Sequence, residues 1–211
     1  MKTLNNPVKG AVLAKFPQGN IYQLYGENVE LYLKAIGSKG HNWIDIAMPE
    51  GIPILASKGE VVEVKDTPEG YGKHIRILTD PENGVFYELA FGHLRNIIIK
   101  IGDKVEDGQQ IAEMSNTGFV ISGGTAYWNT APAGKGVHLH FGVRECSIQD
   151  TGFITTYSSG KTAYVKNYTN DLFGYLDPQL FLKVSEGLYL KTKLGLLSTI
   201  LELLKKLLKG R

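Results

Sequence analysis

The sequence predicts a mainly β fold, a compact antiparallel β-sheet domain followed by a C-terminal amphipathic α-helix. Three observations predict it. From Ile44 to about Val143, β-rich runs of strand length alternate with Gly, Pro, Asp and Asn. No helix-periodic run of useful length precedes Pro178. Beyond residue 187 the composition turns leucine-rich, free of proline and strongly helical. The domain is therefore placed at residues 1–183, with residues 1–25 as an N-terminal extension, and the helix at 187–211.

Residues 1–30 read as irregular chain with short strands, and "VELYLKAI" (Val29–Ile36) fits a strand or a short helix. The strand runs that follow are "WIDIAM", "PILAS", "EVVEVKD", "HIRILTD" and "GVFYELAFG". "DPENG" (Asp80–Gly84) is the turn of a hairpin between two of them. "IKIGDKVEDGQQIAEM" reads as strand, glycine turn, strand. "TGFITTYSSGKTAYVKNYTN" fits a hairpin or an extended loop, and "YLDPQLFLK" is a short closing segment.

Composition removes several function classes. With 211 residues and 43% apolar content the chain can bury a sizeable core. The single cysteine, Cys146, excludes an intrachain disulfide. A net charge of +2 gives no reason to expect nucleic acid. No run of about 18 uncharged apolar residues is present, so no transmembrane helix is expected. "MKTLNNPVKGAVLAKF" lacks an apolar h-region and a small-residue cleavage site, so no signal peptide is read. The expectation is delivery outside the standard export route, or a leader already removed.

The histidines carry the chemistry. In "GVHLHFGV", Val137, Leu139 and Phe141 alternate with His138 and His140, so on a strand both imidazoles share one face and the apolar residues share the other. Two such histidines can both bind a metal, or one can bind while the other moves protons. His41 is followed four residues later by Asp45, and His93 ends a strand run. Two histidines and an aspartate make a three-ligand set with one position open for water, the pattern of a catalytic zinc site.

In order along the chain, "GHNWIDIAMPEGIPILASKGEVVEV", "EGYGKHIRIL", "FYELAFGHL", "IKIGDKVEDGQQIAEMSNTG" and "HLHFGV" resemble the LytM/lysostaphin-like zinc metallopeptidases. These hydrolyse peptide bonds in the stems or cross-links of bacterial peptidoglycan. The resemblance spans roughly residues 20–183 and implies a sheet of the duplicated-hybrid-motif type whose loops wall a narrow groove. It implies one Zn2+ per chain held by His41, Asp45 and His140, with His93 and His138 as the catalytic histidines. His74 matches no ligand and is expected on a groove wall or the surface.

Two features depart from the pattern. The family has glycine two residues after its first histidine, where this chain has Trp43. The indole either packs beneath the site or lines the groove as a substrate contact. Between "NTG" and "HLHF" stands "FVISGGTAYWNTAPAGKGV", an insertion over 119–137 that reads as a long loop with a short hairpin. Its Tyr127 and Trp128 offer flat surfaces to a substrate, or the loop is structural.

The expected function is zinc-dependent peptidoglycan endopeptidase, with peptidoglycan peptide as the substrate and the cell wall as the place of action. The alternatives are a degenerate module that binds or regulates without catalysis, and a phage-encoded lytic protein. At the C-terminal end, Leu194, Leu196, Leu197, Ile200, Leu201, Leu203, Leu204, Leu207 and Leu208 fill one half of a helical wheel, with lysines on the other. Residues 194–208 are expected to dock on the β domain, to pair with a second copy or a partner helix, or to lie on a membrane surface.

Overall fold

A computed structural model describes residues 3–149 and 152–182. The amphipathic segment expected over 187–211, and the association expected through 194–208, lie outside the described residues.

Fourteen strands are described: β1 (Ile21–Gln23), β2 (Ile44–Ile46), β3 (Pro53–Leu55), β4 (Gly59–Thr67), β5 (Gly72–Thr79), β6 (Val85–Arg95), β7 (Lys104–Val105), β8 (Gln110–Met114), β9 (Phe119–Ser122), β10 (Thr125–Trp128), β11 (Leu139–Ser147), β12 (Phe153–Thr156), β13 (Thr162–Val165) and β14 (Tyr175–Leu176). Twelve of them form one antiparallel sheet whose main path runs β1-β2-β11-β6-β5-β4-β7, and β9 and β10 form a separate hairpin. The mainly β, antiparallel reading of the sequence holds.

The hairpin over Asp80–Gly84 is present. Glu82 and Val85 exchange both backbone hydrogen bonds around Asn83 and Gly84, which have φ of 52° and 77°. Both central residues carry positive φ, so Asn-Gly is the pair that this tight turn demands. β12 and β13 form the hairpin allowed for "FITTYSSGKTAYV". "IKIGDKVEDGQQIAEM" departs from its reading: its first residues are not a strand, β7 pairs with β4, and β8 pairs with β3 and β6. The two segments find backbone partners on other strands rather than on each other.

Val29–Ile36 is a helix, α1. It closes at Gly37, whose amide bonds the Leu33 carbonyl, while the Ser38 amide reaches the Tyr32 carbonyl. None of its residues is buried, so no burial pattern could separate helix from strand in the sequence.

β11 is central, and its residues divide cleanly. Leu139, Phe141 and Val143 enter the main core with Ile44, Ile46, Ile75, Ile77, Leu89 and Phe91. The first residues join that core: Leu4, Val8 and Ile21 are fully buried, and the Leu4 amide bonds the Phe181 carbonyl at 2.7 Å. The opposite face carries His140, then Gly142, then Arg144.

Deeper on that face Glu88 is fully buried. Arg76 bonds it through Nη1, Tyr157 donates its hydroxyl to Oε2 at 2.6 Å, and Arg144 Nη1 lies 3.6 Å away. Burial pushes the Glu88 carboxyl up, but Arg76 and Arg144 outweigh it and hold the group below the usual carboxylate range. Glu88→Ala would remove the buried carboxylate that Arg76 and Arg144 share, leaving Arg76 with Glu63 as its carboxylate partner. It is expected to cost about 3–5 kcal/mol in urea unfolding. A loss under about 0.5 kcal/mol would contradict this account.

Candidate active site

The site is set by strand register. On β11, His140 stands opposite Asp45 of β2 on one side and Gly92 of β6 on the other. Directly paired residues on neighbouring strands present their side chains to the same face. His140 and Asp45, 95 residues apart in the chain, therefore meet: Nδ1 lies 2.7 Å from Asp45 Oδ1. His41 arrives from the segment before β2, tied down by its amide on the Glu27 carbonyl and its carbonyl under the Gly26 amide, each at 2.7 Å. Its Nε2 lies 3.1 Å from His140 Nδ1 and 3.4 Å from Asp45 Oδ1.

The other two histidines flank this trio. His93 and His138 have ring centroids 4.5 Å apart, and His93 lies 5.6 Å from the His140 ring. His138 Nε2 is 3.6 Å from Asp45 Oδ1. His41, Asp45 and His140 form one group whose donor atoms all lie within 4.8 Å of one another, and His93, His138 and His140 form a second. The structure thus brings together all five residues that the motifs singled out.

Tautomers follow from the partners. His93 Nδ1 lies 2.7 Å from the Thr117 carbonyl, and His138 Nδ1 lies 2.8 Å from the Gly136 carbonyl. A carbonyl only accepts, so each Nδ1 carries the proton and each neutral ring keeps Nε2 as a lone pair. His93 sits at φ 60°, the left-handed region, within the irregular stretch of the β5–β6 pairing. Strain of this kind gathers at functional positions. Burial first, and then the neighbouring histidines, hold His93 well below the ordinary imidazole value. Burial likewise lowers His140, with His138 adding to it, and takes His41 down to about 4.

Two neutral imidazole nitrogens and a carboxylate oxygen thus face one another at 2.7–3.4 Å in a nearly dry site. Lone pairs so placed repel unless a cation or a proton lies between them. Ligands at about 2.0 Å from a tetrahedral ion stand about 3.3 Å apart. The donor set and its spacing fit a small divalent ion of borderline softness.

Three expectations need correction or placing. His74 is not on a groove wall or the surface. It is buried, donates Nδ1–H to the Gly72 carbonyl at 2.9 Å, and has Nε2 3.4 Å from Glu63 Oε1. A backbone carbonyl bonds one nitrogen and a carboxylate stands near the other, so the ring has polar neighbours where it is covered. Trp43 is fully buried, so it packs beneath the site and does not line a groove as a substrate contact. Its φ is not in the left-handed region, so a side chain strains nothing where the family has glycine. In the insertion, Tyr127 and Trp128 lie on β10, half-buried and exposed respectively. The return segment is anchored by Asn116, whose Nδ2 donates to the Pro132 and Lys135 carbonyls, and by Glu50, which accepts from the Gly134 amide.

Sequence reasoning passed over Tyr32 and Tyr71. The Tyr32 ring lies 5.1 Å from His41, and Tyr71 stacks on His140 at 5.5 Å. Tyr71 stands in the quoted "EGYGKH" motif, which was its one visible signal.

An antiparallel sheet bearing a buried His–Asp–His donor set, with two more histidines beside it, defines a candidate metal-dependent hydrolase. Residues 39–156, more than half of the chain, match Peptidase family M23, and the chain belongs to that family. Peptidases of this family are hydrolases acting on peptide bonds.

Among curated proteins the chain is similar to the glycyl-glycine endopeptidase ALE-1 of Staphylococcus capitis, 30% identical over 65% of this chain and 29% of that one. It is similar to the peptidoglycan DD-endopeptidase ShyA of Vibrio cholerae, 34% identical over 48% of this chain and 19% of that one. A lipoprotein NlpD/LppB homolog of Pseudomonas aeruginosa is 41% identical over 36% of this chain and 24% of its own length. The chain spans about a quarter of the length of the curated relatives it matches. Among solved structures, the catalytic domain of the prophage-encoded M23 protein EnpA from Enterococcus faecalis is similar, with 26% identity, 67% of this chain and 85% of that chain covered, and a TM-score of 0.45.

Proposed function

We propose that this chain is a zinc-dependent endopeptidase that hydrolyses peptide bonds in the stems or cross-links of bacterial peptidoglycan and acts on the cell wall. The convergence of His41, Asp45, His140, His93 and His138 on one sheet face carries the reading. A non-catalytic module has no need to keep two further histidines beside a complete donor set.

His41 Nε2, Asp45 Oδ1 and His140 Nδ1 would hold the ion. Bound there, zinc would supply a water acidified to about pKa 7 and would polarise the scissile carbonyl. The rest falls to side chains of this chain. His93 and His138 each turn Nε2 toward the site, the nitrogen through which a general base would act. One takes the proton of the attacking water and returns it to the leaving amine. The other, carrying a proton drawn from solvent on Nε2, holds the oxyanion that develops on the carbonyl. The Thr117 and Gly136 carbonyls keep both rings turned the right way through Nδ1–H. The exposed Trp128, with Tyr127 beside it, is proposed to stack against the substrate.

Metal removal tests the reading. Elemental analysis is expected to find about one zinc per chain, and a strong chelator is expected to abolish release of muropeptides from purified peptidoglycan. Added zinc restores it, and mass spectrometry of the fragments names the bond cut. A metal-free protein that still hydrolyses in chelator would overturn the proposal.

A further inference from the structure

Both hydrogen-bond contacts of the His140 ring run through Nδ1, the atom that faces His41 and Asp45. His93 and His138 differ, for each is oriented by a carbonyl on the ring nitrogen that points away from the centre. A metal-ligating histidine is ordinarily steered by such an outer hydrogen bond. For His140 the observed neighbours are aromatic instead. The Trp43 indole stacks on it with centroids 4.2 Å apart and planes at 25°. On Trp43 itself, Tyr71 stacks at 4.6 Å and 17°, and Tyr175 leans at 5.2 Å.

The indole has a berth made for it. Gly142 lies two residues beyond His140 on the same face of β11. A Cβ at Gly142 would come within 2.7 Å of Trp43 Cδ2 and 2.8 Å of Tyr175 Cε1. The missing side chain is thus the space the indole fills. Trp43 also buries its Nε1–H without a hydrogen-bond partner among the described residues, a cost of about 1–3 kcal/mol that a phenylalanine would not carry. A residue kept there for packing alone gains nothing from that N–H. A broad ring lying flat on a metal ligand gains area and orientation together.

We propose that Trp43 is a positioning residue of the metal centre: seated over Gly142, its ring sets the plane of His140 and so the direction of the Nδ1 lone pair. This rests on the reading of the site as a zinc centre. The His41 ring rests on Tyr32, with centroids 5.1 Å apart, and Asp45 stands across from His140 by strand pairing, so His140 is the ligand on which the indole acts.

The test uses the full chain. In Trp43→Leu, zinc affinity measured by chelator competition is expected to fall about 10–100-fold, as for loss of an outer group that orients a ligand. The visible band of the cobalt-loaded protein shifts with it, and Trp43→Phe recovers part of both. The only other tryptophan is Trp128. In a Trp128→Phe protein, emission from Trp43 is therefore expected to change until one equivalent of zinc is bound. Should Trp43→Leu fail to fold, this titration decides alone, and flat emission while zinc binds overturns the proposal. Equal zinc affinity and an unmoved cobalt band in Trp43→Leu overturn it too. If the wild-type chain takes up no zinc, the zinc-centre reading falls, and this inference with it.

Discussion

His140→Ala is expected to empty the metal centre and abolish hydrolysis in the same step. His140 is the one residue common to both donor groups of the site. It also sits at the junction of three strands, opposite Asp45 and Gly92. Removing the ring leaves His41 Nε2 and Asp45 Oδ1, 3.4 Å apart, as the only pair of that donor set. Two ligands do not make the three-point set that a catalytic zinc needs. Asp45→Asn is expected to do nearly as much, because it keeps the shape and removes the negative charge. Zinc content after gel filtration, read beside dye release from labelled peptidoglycan, measures both effects. A His140→Ala protein that keeps one zinc and its turnover would sink the ligand assignment.

His138→Ala and His93→Ala should separate binding from chemistry. Each is expected to retain most of its zinc and to lose about 10²–10⁴-fold in turnover, the usual contribution of a positioned acid or base. The structure supplies the reason for the split. Both rings spend Nδ1–H on a backbone carbonyl and offer only Nε2 to the site. His93 needs a control, because its φ of 60° is a conformation that alanine tolerates poorly. Asparagine accepts that region well, so His93→Asn keeps the backbone while removing the imidazole. Loss of zinc from His93→Asn would show that His93 is a ligand and that the assigned roles are wrong.

Much of this was legible in the sequence, where the signal is local. Alternation through Val137–Phe141 put both histidines on one face, and burial of Leu139 and Phe141 agrees. Asn83-Gly84 specified its turn, since few residue pairs accept two positive φ angles. The HNWID, FGHL and HLH motifs named the five residues that meet.

Other features were not legible, because they depend on what lies across the sheet. Val29–Ile36 alternates like a strand, yet no residue of α1 is buried, so there was no core-facing pattern to read. "IKIGDKVEDGQQIAEM" read as strand, glycine turn, strand, but its β7 and β8 pair with strands from elsewhere in the chain. His74 was expected on a groove wall or the surface, yet it is buried beside Glu63 of the neighbouring strand.

By itself the sequence determined the strand-rich class, the shared face of His138 and His140, and which side chains can hold a metal or move a proton. These follow from residue type and from a period of two along a strand. The tertiary structure decided that His140 faces Asp45 and Gly92, that His93 turns into a left-handed bulge beside His138, and that Trp43 lies under the site rather than along a groove. Pairing register between distant strands makes those choices. Register is settled by the joint burial of whole faces, and no short stretch of residues contains that information.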